Sequence, residues 1–199
     1  MSRCFWILRS VAFAGWWLSP PIHFAHARES GVLVAEAPVQ RDLGHAAAFR
    51  IKDFTITPLA DFSITARVLS RADYRFDPSA ALSPTDLALG WKRMSDSAVL
   101  AKLDIEQSSR WYTYRWASGA PPIPKPEIIR SSANMHMIPA DDTVREELKQ
   151  VRPGDIVRID GQLIEARRDD GSVWRSSMTR DDSGDGACEV VYVRSLVVK

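Results

Sequence analysis

Cys188 and His136 are the residues whose types best suit covalent chemistry. A thiolate nucleophile needs a base to take its proton and a third group to orient that base. Asn134, Asp181 and Asp185 are of the right type for the third role. One reading is therefore a thiol-dependent hydrolase or transferase, in which Cys188 attacks, His136 accepts the proton and Asn134 holds the imidazole. No cysteine-hydrolase signature surrounds Cys188, and burial is the commoner fate of a free thiol. On that plainer reading Cys188 packs at the start of a strand while His136 is hydrogen-bonded in a loop.

Metal chemistry finds less to work with. Asp181-x-Ser183-x-Asp185-Gly186 copies the first half of a calcium loop, but Tyr192 stands where the bidentate glutamate belongs, and a strand follows instead of a helix. It reads as an acidic hairpin loop. His45, His136 and Cys188 lack the paired spacing of a zinc site. Met135 and Met137 beside His136 have the soft character that suits copper, although alternate methionines on a strand also simply pack together. The expectation is no cofactor and no metal.

Binding chemistry is better represented. Arg110-Trp111-Tyr112-Thr113-Tyr114-Arg115-Trp116 interleaves aromatic rings with guanidinium groups, and alternation along a strand leaves neither face purely apolar. Such a strand can stack on sugars, on protein side chains or on bases. The 26 Lys and Arg nearly cancel the 25 Asp and Glu, so the marked basic excess of a nucleic-acid binder is missing. The expected partner is a protein or glycan of the cell envelope, docked on Arg110–Trp116 and on Asn134 and His136 from a loop spanning Ser131–Pro139.

These groups must be held by a fold, and the pattern reads as mostly β. Val151–Gly161 (VRPGDIVRIDG) is the organising stretch: a Pro-Gly turn, an alternating strand, then a glycine at which the strand can bend before resuming at Gln162. Phe49–Pro58 and Phe62–Leu69 read as two strands joined by a hairpin at Leu59-Ala60-Asp61, with a slip of the alternation near Asp53 that suggests a bulge or short turn. Ser83-Pro84-Thr85-Asp86 has the form of a capped helix start. Pro121, Pro122, Pro124 and Pro126 suggest an extended linker. Asp141 or Asp142 caps a helix running to Gln150. Asp170-Gly171 turns a hairpin into Val173–Met178, and Cys188–Val198 is the last strand. Three strands, a helix and two more strands is the order of a small OB-like β-barrel, closed or partly open, with a helical insertion.

The first residues resemble an export signal: Arg3, a second charge at Arg9, the apolar run Ser10–Leu18, and Ala25-His26-Ala27 as a cleavage site. The run is short for a membrane span, which needs about 20 apolar residues. Residues 1–27 are therefore expected to be a signal peptide, 28–48 an irregular lead-in and 49–199 one domain. The location is periplasmic, or at the inner membrane if the segment stays uncleaved as an anchor. Cleavage would remove Cys4, leaving Cys188 without a disulfide partner.

Several peptides carry a family likeness: Asp86–Trp91 with Met94-Ser95-Asp96, Gln107-Ser108 before Arg110-Trp111-Tyr112, Ser132–Ala140, and Trp174–Ser177 before Cys188-Glu189. Together they resemble an uncharacterised family of exported bacterial proteins over most of the chain after residue 27. The resemblance implies export and one intact domain, and no mechanism. Separately, Gly154-Asp155-x-Val157-x-Ile159-x-Gly161 is similar to a strand of OB-fold proteins.

Overall fold

The computed structural model describes residues 25–117, 119–184 and 186–199. Residues 1–24 of the expected signal, and Asp185 of the acidic loop, lie outside the described residues. The chain is mostly β, with 45% of residues in strands against 14% in helices. In order come β1 (Val39–Asp42), β2 (Phe49–Ile51), β3 (Phe54–Asp73) and β4 (Thr85–Gly90). A 3₁₀ turn (Lys92–Ser95) and α1 (Ser97–Leu100) lead to β5 (Asp104–Ser108) and β6 (Trp111–Arg115). Then follow α2 (Lys125–Ser131), β7 (Ser132–Pro139), α3 (Asp142–Gln150), β8 (Ile156–Arg168), β9 (Val173–Arg175) and β10 (Glu189–Val198).

The main sheet closes on itself as a ring. β3 pairs with β4, β4 with β7, β7 with β10, β10 with β8, and β8 returns to β3. Of these pairings only β7–β10 is parallel. β3 carries the design. Its even-numbered residues from Phe54 to Val68 are buried while most of the odd ones are not, which is the period of a half-buried strand. Its two halves fill different clusters. Phe54 and Ile56 pack with Ile164 and Val190, whereas Phe62, Ile64 and Val68 pack with Leu87, Met135 and Val191. The register against β8 shifts between Pro58 and Ala60, so the strand bulges where it passes from one cluster to the other.

Several expectations are corrected. The hairpin at Leu59-Ala60-Asp61 is instead this bulge, because the apolar parity never breaks there; the turn lies where the alternation slips, at Lys52-Asp53, with Lys52 at φ 53°. The helix expected from Ser83 is β4. Every one of its residues is buried, pairing with β3 and β7 leaves no solvent face for an amphipathic helix, and these contacts override the local capping signal. The expected loop Ser131–Pro139 is mostly β7, a strand buried almost throughout. The proline linker ends in α2, whose Pro126 sits in the first turn where no backbone donor is lost. Residues 28–48 contain β1, paired with β3, and Val34, buried in the main cluster. Among the described residues no helix is long and apolar enough to cross a membrane.

Other expectations match the structure. α3 begins at the Asp141 cap, whose side chain accepts from the Val144 N–H at 2.9 Å. Gly171, at φ 92°, turns β8 into β9, although the strand stops at Arg175. No expectation covered His26, inside the expected cleavage site, which donates its backbone N–H to the Pro153 carbonyl at 2.7 Å and sets its Nδ1 2.5 Å from the buried Asp155 carboxylate.

Gly161 lets β8 and β10 approach closely. A Cβ there would lie 2.1 Å from the Tyr192 carbonyl oxygen, beside the register shift between Val193 and Ser195 on β10. Gly161→Ala should cost about 1–3 kcal/mol through forced backbone movement. Thermal unfolding checks this, with a fall in Tm of about 2–4 °C per kcal/mol expected at this chain length.

Candidate functional site

β5 and β6 form a separate hairpin laid beside β7. Ser108 pairs with Trp111, leaving Ser109-Arg110 as the loop, with φ of 49° and 71°. Two successive left-handed residues make a type I′ turn, normally built from Asn-Gly. Neither residue is glycine here, so other contacts must hold the turn. Arg110 supplies them. Its Nη1 donates to Asp86 Oδ1 at 2.8 Å, its Nε to Asp77 Oδ2 at 2.8 Å, and its Nη2 to the Ser83 carbonyl at 2.9 Å. The guanidinium lies 3.8 Å over the Tyr74 ring, and the Tyr74 hydroxyl accepts from the Arg110 N–H at 3.1 Å. Asp86 has 0% of its surface exposed. A buried carboxylate needs such a partner, and stripping it away would cost about 3–5 kcal/mol.

Two cavities flank this anchor. The first, of about 310 Å³, is lined by Arg110, His136, Arg168, Trp174 and Phe54 among others. The His136 ring packs against Trp174 at 4.5 Å. Its Nδ1 is 2.9 Å from Asp86 Oδ1, yet off the line of a hydrogen bond, and Asp86 Oδ2 has no hydrogen-bond partner among the described residues.

The second cavity, of about 300 Å³, opens on the other side of Arg110. Tyr112 and Tyr114, with ring centroids 5.7 Å apart, line it together with Trp111. Burial raises both tyrosine hydroxyls above their usual range. Asn134 is braced on both sides, accepting from Gln107 Nε2 at 2.6 Å and donating from Nδ2 to the Arg110 carbonyl at 3.0 Å. Cys188 Sγ lies 3.8 Å from that same Nδ2. Glu189, 1% exposed, completes the deep end. Its Oε1 is 3.0 Å from Arg180 Nη1, but this pair also misses hydrogen-bond geometry, and Oε2 has no partner among the described residues. Arg180 instead donates to the Thr179 and Ser177 carbonyls. Desolvation therefore outweighs the arginine's attraction and pushes the Glu189 carboxyl up to about 8.

Of the residues singled out by sequence, the fold gathers Trp111, Tyr112, Tyr114, Asn134 and Cys188 around one cavity, with the Arg110 carbonyl at its edge. It does not gather the others. Arg115 faces solvent and pairs with Asp104 and Glu106, while the Trp116 indole donates to the Gly119 carbonyl. Asn134 and His136 are buried rather than displayed on a loop, and His136 faces the other cavity. The parallel register sets Val190 opposite His136, so the thiol falls level with Asn134 and the imidazole turns to Asp86. Asp181 pairs loosely with Arg130 at 3.9 Å. Met135 and Met137 point into the core, away from His136, which separates the soft ligands that copper would need. No cluster of three or more His, Cys, Asp or Glu able to hold a metal forms among the described residues.

Asp86, Gln107, Arg180 and Glu189 complete the site; none of them has a functional role in the sequence reading, where Asp86, Gln107 and Glu189 appear only in the peptides that carry the family likeness or in the expected helix start. Asp86 and Glu189 each adjoin an apolar run (Leu87-Ala88-Leu89 and Val190-Val191), and a carboxylate at the edge of a buried strand is the signal that could have found them.

Burial raises the Cys188 thiol to about 11, with Asn134 opposing weakly. At pH 7 the thiolate fraction is therefore very small, and the folded protein should alkylate far more slowly with iodoacetamide than its denatured chain. A fast folded-state rate that falls in His136→Ala would contradict this geometry. No family model, no curated protein and no solved structure matches this chain.

Proposed function

We propose that the chain is a ligand-binding module of the bacterial envelope, built on an OB-like frame, that takes a glycan or protein partner at the cavity under the β5–β6 hairpin. The observation carrying this reading is the unpartnered, buried Glu189 Oε2 at the end of a cavity lined by Tyr112, Tyr114 and Trp111. Buried polar atoms are nearly always paired, and one that lines an open cavity is suited to a ligand atom.

The strand order supports the frame. Taking β3, β4, β7, β8 and β10 as first to fifth, the first pairs with the second and fourth, the third runs parallel to the fifth, and α3 lies between the third and fourth. In OB-type sheets, strands two and three and the loops after strands one and four carry ligands. Here those strands bear Asp86, Asn134 and His136, and those loops bear Asp77 and Trp174. The near-neutral charge favours a glycan or protein over nucleic acid. Export rests on the signal-like start and the family likeness, and membrane attachment would follow only from an uncleaved N-terminus. The thiol-dependent reading gains no comparable support, since burial keeps the thiol protonated and Asn134 rather than His136 lies beside it.

Thermal-shift panels of envelope glycans and peptides test the reading. A ligand present at 100 times its Kd stabilises the fold by about 2.7 kcal/mol, a rise in Tm of about 5–10 °C. The folded double variant Trp111→Ala/Tyr114→Ala should lose that shift. Equal shifts in both proteins would contradict the site, and no shift with either panel would contradict the binding reading.

A further inference from the structure

The chemistry of the Glu189 cavity narrows what it can hold. Its deep end offers a carboxyl with one free oxygen, and its wall offers the two tyrosine rings. Thr113 and Ser183 also line it, while the Ser132 hydroxyl is taken up by the Ile128 carbonyl and the Tyr112 hydroxyl. Short hydroxyls beside aromatic faces complement a sugar, which has an apolar C–H face and a polar edge. A carboxyl held neutral by burial is chiefly a donor, as acids in apolar pockets are. Among the neutral groups a sugar carries, the amide carbonyl is the strongest acceptor. A cationic ligand would need the ionised carboxylate that burial disfavours. An acidic sugar would meet Arg180, but also the Asp182 carboxylate in the lining.

We propose that this cavity takes an acetamido sugar, with the Glu189 carboxyl donating a hydrogen bond to the acetamido carbonyl while Tyr112 and Tyr114 face the sugar ring. The inference rests on the binding-module reading and names the ligand class of that same site. It carries a pH signature. The charged or titratable groups that line the cavity with Glu189 are Arg180, Asp182, Cys188, Tyr112 and Tyr114, and of these Arg180 and Asp182 act on its charge. The Cys188 thiol, at about 11, and the two raised tyrosines keep their protons where Glu189 loses its own. Below about 8 the donor is present, and above it the donor is lost.

The experiment titrates the full chain with three tetramers and follows tryptophan fluorescence and calorimetric heat: β-1,4-linked N-acetylglucosamine, β-1,4-linked glucose and α-1,4-linked galacturonate. The acetamido tetramer should bind at least tenfold more tightly than the other two. Its affinity should be flat from pH 6 to 7 and weaken roughly tenfold per pH unit above about 8, as loss of one required proton dictates. Glu189→Met, which keeps bulk and removes the donor, should weaken the acetamido tetramer at least tenfold more than it weakens the glucose tetramer. If that variant does not fold, the wild-type pH profile decides alone. Equal binding of the acetamido and glucose tetramers, tighter binding of the galacturonate tetramer, or a pH-independent affinity would overturn the inference while leaving a binding module in place. If no tetramer binds but a peptide from the panel does, the ligand is a peptide and the inference also fails. Silence from tetramers and panels alike would overturn the module reading as well.

Discussion

A carboxylate with no exposed surface must be answered by a cation, and in this chain Asp86 is answered by Arg110. The consequence reaches well beyond one ion pair. Asp86 sits on β4 in the middle of the ring, whereas Arg110 sits at the tip of a hairpin outside it. To bring them within 2.8 Å, the hairpin must lie beside β7 with its turn pointing inward. That turn accepts two left-handed residues without glycine, because the guanidinium also engages Asp77, the Ser83 carbonyl and the Tyr74 ring. The two cavities are what remains on either side of the anchor.

The same geometry separates two buried carboxyls that look alike in sequence. Asp86 receives an arginine in line with its oxygen, while Glu189 has an arginine at 3.0 Å that is aimed elsewhere. Coulombic attraction across a poor angle does not offset the loss of water, so Glu189 holds its proton to about 8. One carboxyl thereby anchors the fold and the other faces a cavity as a donor. β7 joins the two regions by simple alternation: Met135 and Met137 fill the core, and Asn134 and His136 turn toward the hairpin.

Much of this fold was legible where local signals and tertiary contacts agree. The Asp141-capped helix, the alternating strand before Gly161, the aromatic strand and the Asp170-Gly171 turn each carry a short-range pattern that the ring reinforces. Legibility failed where burial acts from both sides. β4 and β7 lie inside the sheet and are buried on both faces, so their burial does not alternate, and Ser83-Pro84-Thr85-Asp86 mimicked a helix cap. The continuity of β3 was visible in the parity of Phe54, Ile56, Phe62, Ile64 and Val68, but Pro58 and Asp61 imitated a turn. Within the site, the aromatic residues and Asn134 were recognisable by type. The burial of Glu189 was signalled by the apolar run Val190-Val191 beside it, but its role depends on where Arg180 points, which the sequence does not encode.

The dependence of the hairpin on Asp86 is open to one direct measurement, a double-mutant cycle of unfolding free energy with Asp86→Asn, Arg110→Met and the pair combined. Arg110→Met alone should cost about 3–5 kcal/mol, since it leaves a buried carboxylate unanswered. With Asp86 already neutralised the same change should cost much less, a coupling of about 2 kcal/mol or more. Additivity within about 0.5 kcal/mol would mean that Arg110 is held by Asp77 and Tyr74 without Asp86, and that the buried carboxylate is not what sets the hairpin in place.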